Sequence, residues 1–210
     1  MGLALRVECV TTAREALAIL KRAVPTIGDR MALLVLTIGR LESHWADHWR
    51  GTPGASPEAA ESHNWGAIHA GGWTGPTFTS PEKKWQRGQV VNYTGIFRVY
   101  PSAEAGAKDL WQLLATRYTA AVDQALAGNW GDVSAALFGY YTGTGPKEQA
   151  IAAHRRTFLK ALEQTRTDLG MAPVLSPGES PGSDSAPSGY SGWVVLLALW
   201  LVSKALKGRL

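Results

Sequence analysis

Through residues 1–170 apolar side chains recur at helical spacing, and one stretch breaks that rule. Thr12 and Glu15 have the spacing of a capping box ahead of AREALAILKRA, and Pro25 ends that helix. Asp29 is the expected cap of the next helix, in which Leu33, Leu34, Ile38 and Leu41 recur on one side. Further helices are expected over Ser102–Thr116, Tyr118–Ala127, Asp132–Phe138 and, opened by Pro146, to about Leu169. The exception, TFTSPEKKWQRGQVVNYTGIFRVY at 77–100, alternates partially at Val91 and Tyr93, then Ile96, Phe97 and Val99, about a glycine-containing turn at Gln86–Gln89. Such a chain is expected to be mainly α (α+β): a helical domain with a small β-hairpin inserted, and no internal repeat.

Composition agrees with one ordinary domain plus appendages, since 210 residues at 45% hydrophobic content suffice for a core. The formal charge of +4 divides as +3 over residues 1–170, −2 over 171–192 and +3 from Lys204, Lys207 and Arg209. Without a concentrated stripe of Lys and Arg, nucleic acid is not expected as a partner. The single cysteine, Cys9, excludes an intramolecular disulfide framework and a Cys-rich zinc site, and is expected in the core. At the N-terminus, MGLALRVECVTTAREAL breaks its apolar run with Arg6 and Glu8, so no cleavable export signal is read there.

Residues 171–192, with four Pro, four Gly and six Ser, hold too little apolar surface to offset chain entropy and read as a flexible linker. The segment 193–210 follows, uniformly apolar from Trp193 to Val202 and then basic. Counted from Tyr190 to Leu206, it reaches the short end of the roughly 17–25 residues of a spanning helix. It is expected to be a C-terminal hydrophobic helix anchoring the chain in a membrane, basic end toward the cytoplasm; a helix docked on the domain or on a partner is the alternative.

LTIGRLESHW at 37–46 carries the chemistry. An apolar helix that finishes on Glu42 puts a carboxylate at the negative end of the helix dipole, beside bulk that strips its water. Both effects raise its pKa and suit it to act as a general acid. An ordinary exposed glutamate at a helix end is the competing reading.

Four ordered motifs bear on that choice: Glu42-Ser43-His44-Trp45, then SHNWGAIHAGGWTG at 62–75, FRVYPSAEAGAKDLWQLL at 97–114 and FGYYTGTGPKEQAI at 138–151. Together they resemble glycoside hydrolase family 73, the bacterial and phage β-N-acetylglucosaminidases of peptidoglycan, over roughly residues 30–165. Glu42 matches the family's catalytic acid; Asn64, Gly66 and Ile68 match its second motif; Phe97, Arg98 and Tyr100 its third; and Gly139 and Tyr140 the start of its fourth. Two departures stand out. Where the family has Thr-Asp-Pro, this chain has Thr144, Gly145 and Pro146, preceded by Tyr141 and Gly143, and the second carboxylate of the hairpin lobe falls on Glu82 only by a loose alignment.

The resemblance implies a lysozyme-like glucosaminidase domain over 1–170 that cleaves β-1,4 bonds between N-acetylglucosamine and N-acetylmuramic acid, as in a phage or virion-associated lysin. Glu42 would protonate the leaving oxygen. The second function would fall to Glu82 or to the 2-acetamido oxygen of the substrate, and Tyr140 would bind the acetamido group or stabilise the anomeric charge. Ser43, Asn64, Trp65, Gly66, Trp73 and Tyr141 are the expected substrate contacts, with Trp65, Trp73 and Tyr141 offering faces to sugar rings. Core packing is the alternative for each aromatic, and the expected role of Trp45 and Trp111. No cofactor is implied. His44 and His48, four apart beside Asp47 with His63 and His69 downstream, raise a metal reading, but they do not form His-Glu-x-x-His, and no metal is expected. A lytic transglycosylase of the same fold, a glycan-binding module that has lost catalysis, and a membrane-anchored virion assembly protein remain the alternatives.

Overall fold

The computed structural model describes residues 10, 12–86, 89–138 and 147–172. The linker and the hydrophobic tail fall outside them, as do Cys9, Tyr140 and Tyr141. Among the described residues no helix is long and apolar enough to cross a membrane.

Six α-helices and one two-stranded antiparallel sheet make up the described chain: α1 (Ala13–Ala23), α2 (Asp29–Ser43), β1 (Thr77–Gln86), β2 (Gln89–Arg98), α3 (Ala103–Arg117), α4 (Thr119–Ala127), α5 (Trp130–Leu137) and α6 (Lys147–Leu169). Short 3-10 turns at Asp47–Gly51 and Pro57–Glu61 lie between α2 and the hairpin. The fold is mainly helical with a small β-lobe.

Local chemistry sets these boundaries. Thr12 caps α1 reciprocally with Glu15, its hydroxyl accepting from the Glu15 amide at 3.2 Å and its amide donating to the Glu15 carboxylate at 3.0 Å. Ser102 caps α3 by accepting from the Ala105 amide at 3.2 Å. The cap of α2 is Gly28, one residue before the expected Asp29, which instead occupies the first helical position and pairs with Lys21 at 3.6 Å. A carboxylate in the first turn still favours the positive end of the helix dipole.

Every residue from Met31 to Gly39 is buried. Helix α2 is therefore the axis of the domain, packed by α1, α3, α4 and α6, so it carries apolar residues all round instead of on one stripe. Trp45 is buried in this core and Trp111 is partly buried against it, in the roles expected of them.

In the hairpin, Thr77 pairs with Arg98, Ser80 with Gly95 and Glu82 with Tyr93. Because side chains alternate across a sheet, Phe78, Ser80 and Glu82 of β1 all turn inward and are buried, whereas Ile96 on the outer face of β2 is exposed. Phe78 and Phe97 stack at 5.1 Å and meet Trp49 at 4.9 and 5.1 Å, which seats the base of the hairpin on the helical body. Backbone bonds from Ser56 to the Thr79 carbonyl (2.8 Å), Arg98 to Ile68 (3.0 Å) and Tyr100 to Ser62 (2.8 Å) complete that seat.

Candidate active site

Glu42 occupies the last turn of α2, and the chain then makes an unusual exit: His44, Trp45 and Ala46 all have positive φ (49°, 56° and 77°). No glycine supplies that freedom, so other contacts must hold the turn. Ser43 Oγ accepts from the Ala46 amide at 2.9 Å and donates to the Trp65 carbonyl at 2.7 Å. Trp45 folds back over α2, its indole N–H donating to the Leu36 carbonyl at 3.1 Å, and lies against Gly39, where a Cβ would come within 2.8 Å of Trp45 Cδ1. The sequence Gly39-Arg40-Leu41-Glu42-Ser43-His44-Trp45 is thus a helix stop that aims Glu42 inward. His44 and His48 do not share a helix face, because the helix ends before His44.

Glu42 is only 8% exposed, and its Oε2 is buried with no hydrogen-bond partner among the described residues. Burial first, and then the charge of Glu82, push its pKa well above the usual carboxylate range. Both influences hold the carboxyl toward its neutral, protonated form.

Glu82, 3% exposed, accepts from the Tyr93 hydroxyl at 2.5 Å across the hairpin. Burial raises its pKa to about 7, with the Tyr93 hydrogen bond pulling the other way. Burial, and then the bond and charge of Glu82, in turn push the Tyr93 phenol up. Room for this carboxyl depends on Gly95, where a Cβ would lie 2.6 Å from Phe97 and 3.0 Å from Glu82 Cγ. His69 Nε2 lies 3.8 Å from Glu82 Oε2, but burial lowers the imidazole pKa to about 4, against a smaller upward pull from the Ile96 carbonyl. At neutral pH the ring is uncharged and the contact is not an ion pair.

The structure thus brings Glu42 and Glu82 within electrostatic reach from two separate elements. Four of the expected substrate contacts lie buried. Trp65 is fully buried and offers no face to a sugar ring. Ser43 is buried and committed to the α2 exit. Asn64 is buried as a loop clasp: its Oδ1 accepts from the Ile68 amide at 2.8 Å and its Nδ2 donates to the carbonyls of Ile68 and Arg98 at 2.9 and 3.0 Å. Gly66 is buried where a Cβ would lie 2.7 Å from Leu110. All four residues are buried and reach no surface.

Trp73 differs, being only partly buried; its N–H donates to the Pro76 carbonyl at 2.9 Å, and Tyr100 and Arg98 flank its ring at 5.4 and 5.3 Å. Tyr140 and Tyr141 lie outside the described residues. Among the described residues no group of three or more His, Cys, Asp or Glu side chains is gathered as a metal would require. A surface depression of about 510 Å³ is lined by Asp47, His48, Arg50, Gly51, Thr52 and Pro53, and includes neither carboxyl.

No protein-family model and no curated protein matches the sequence. Among solved structures the chain is similar to a C-terminally truncated glycoside hydrolase domain from Salmonella typhimurium FlgJ. The two are 20% identical, the match covers 74% of this chain and 98% of that one, and the TM-score is 0.46. A likeness this loose assigns no role to any residue.

Two side chains that bear on the site carried no marked functional signal of their own, Tyr93 and Asp109, and His69 was read only as a possible metal ligand. Tyr93 could have been found by counting back from the hairpin turn, which sets it opposite Glu82. Asp109 binds Arg98 Nη1 at 2.9 Å and accepts from the Tyr100 hydroxyl at 2.6 Å, so the Phe97-Arg98-Val99-Tyr100 segment is fastened to α3.

Proposed function

We propose that the chain is a glycosidase acting on peptidoglycan, with Glu42 as general acid and Glu82 as the second carboxyl. The observation that carries this reading is the pair itself: two buried carboxyls on separate elements, each raised in pKa, the first further raised by the charge of the second. Glycoside hydrolysis needs one carboxyl that keeps its proton until a leaving oxygen takes it and one anion to activate water or face the oxocarbenium-like centre. The pair suits that division of labour, because burial holds Glu42 toward its protonated form while the Tyr93 hydrogen bond favours the ionised form of Glu82. The order of the four motifs, similar to that of glycoside hydrolase family 73, favours an N-acetylated glycan as substrate. In this reading the domain is lysozyme-like, the glycan lies between the helical body and the hairpin, Trp73 stacks on a sugar, and Tyr140 and Tyr141 are further substrate contacts. A hydrophobic tail at 193–210 would hold such an enzyme at a bacterial or virion membrane.

The test is incubation of the purified protein with isolated sacculi, followed by mass spectrometry of the soluble fragments. We expect new reducing ends terminating in an N-acetylated sugar, and their loss in Glu42→Gln with the fold intact. Anhydro sugars in place of reducing ends would assign a transglycosylase. Binding to sacculi without fragments would refute the enzymatic reading in favour of a glycan-binding module.

A further inference from the structure

We infer that Arg40 is a positioning residue for the acid: anchored to Asp168 near the end of α6, its guanidinium covers the Trp45 indole that closes the exit of α2 beside Glu42. The inference rests on the proposed role of Glu42 and adds to it two side chains that no motif marks.

Two residues apart on one helix, Arg40 and Glu42 do not face each other. Nor does the charge of Arg40 act on the acid, since the charge that shifts Glu42 is that of Glu82. What Arg40 reaches is Trp45. Its guanidinium carbon stands 4.9 Å from the centre of the indole, whereas His44 meets that ring edge-on, at 5.0 Å between centroids and 70°. On the helix side the indole is closed by Gly39 and by the Leu36 carbonyl, and the Arg40 side chain, itself 12% exposed, is the cation over its face.

The guanidinium is fixed from its other side. Arg40 Nη2 forms an ion pair with Asp168 Oδ2. Asp168 lies in the last turn of α6, where the helix dipole disfavours a carboxylate unless a cation stands opposite. Arg14 Nε of α1 donates to the Asp168 carbonyl at 3.0 Å and so holds the same turn. Arg40 Nε, by contrast, is buried with no hydrogen-bond partner among the described residues. An unpaired buried N–H is unfavourable, and an arginine serving only the half-exposed Asp168 could keep that nitrogen in water. The pull of the indole on a cation, strongest where water is excluded, accounts for the placement. Helix α6 thus reaches the acid through three side chains in series: Asp168 sets Arg40, Arg40 holds Trp45, and Trp45 keeps the backbone after Glu42 in its left-handed course.

The experiment uses the full-length protein and follows solvent exchange of the Trp45 indole N–H by NMR, together with turnover on sacculi, in wild type, Arg40→Ala, Arg40→Lys and Asp168→Asn. We expect exchange to quicken about tenfold in Arg40→Ala and about threefold in Asp168→Asn, with Arg40→Lys, which keeps a cation, near wild type. Because a loosened indole lets water reach Glu42, kcat should fall with KM little changed. The basic limb of the pH profile, set by the acid, should move down by about one pH unit in Arg40→Ala. Unchanged indole exchange in folded Arg40→Ala would overturn the proposal. So would faster exchange with kcat per folded molecule and the basic limb unmoved, since Arg40 would then serve stability alone. Should Arg40→Ala fail to fold, Asp168→Asn, at a side chain 46% exposed, decides by the same two readings. Full turnover in Glu42→Gln would instead remove the acid itself, a failure that indole exchange, which needs no activity, keeps distinct.

Discussion

Glu82 and Tyr93 stand directly opposite each other on the two strands, and the phenol of Tyr93 donates to Glu82 Oε2 at 2.5 Å. A donor this close favours the anion against burial, so under the proposed role of Glu82 it sets where the acid limb of activity falls. Tyr93→Phe should move that limb upward by about one pH unit, which lowers kcat/KM about tenfold at pH 6. Above the shifted limb the variant should match wild type. A pH profile of turnover on sacculi measures this, and an unmoved acid limb would sink the assignment of Glu82.

Stability should change in the opposite sense from activity. The folded-state pKa of Glu82 is raised from 4.5 to about 7, so the folded protein binds a proton that the unfolded chain has released between those values. Stability therefore falls as pH rises from 4.5 to 7, by about 3 kcal/mol for this group. Glu82→Gln removes the penalty. Its thermal midpoint should exceed wild type at pH 8 and equal it near pH 4, as unfolding scans at the two pH values would show.

His154 lies buried between Phe138 and Phe158, and burial lowers its pKa to about 4. For a base depressed in the folded state, the sign reverses: its contribution is complete above pH 6.5 and lost as pH falls toward 4, about 3 kcal/mol in all. His154→Gln should flatten that part of the stability profile. Denaturant titrations between pH 7 and pH 4 provide the comparison, and parallel curves for the two proteins would contradict it.

Gly39→Ala tests the exit of α2. The new methyl would sit 2.8 Å from Trp45 Cδ1, forcing the indole away and costing about 1–3 kcal/mol. Glu42 lies three residues before Trp45, so kcat should fall more than KM changes. Equal activity per folded molecule would show that the indole does not hold the acid in place.

Asn64→Ala removes three hydrogen bonds, two buried and one part-buried, that tie the 64–68 loop to itself and to β2. The expected loss is about 2–4 kcal/mol, since partners are left unsatisfied. Glycan affinity of the protein that remains folded should hold, because this side chain reaches no surface. A large rise in KM without loss of stability would restore Asn64 as a substrate contact.

The outline of the fold was legible because the signals behind it are local. Thr12 with Glu15, Pro25 and the turn at 86–89 each act over a few residues, and the structure places element ends within about two residues of where these mark them. Glu42 and Glu82 were legible as candidates, one from its place at a helix end and the other only through resemblance, and the structure buries both. The burial of Asn64 and Trp65 was not legible: an amide that clasps a loop and an amide that binds a sugar present the same residue type at the same spacing, and so do a core indole and a stacking one. Burial, which separates them, depends on α3 and β2 arriving from far along the chain. The Arg98–Asp109 contact likewise appears only when the hairpin and α3 are in place. Asp29 was misplaced by one residue because glycine also begins helices, and the acid fits equally well in the first turn.

Three consecutive residues wound in the left-handed sense give the backbone after Glu42 a standing tendency to continue as ordinary helix. The buried indole of Trp45 is the latch against that tendency. Were it released, α2 could coil on through His44 and Trp45, turning the acid from a terminal residue into an interior one with a fresh turn of backbone beyond it. The dryness of the Glu42 carboxyl would then rest on an aromatic ring that is itself sealed from solvent.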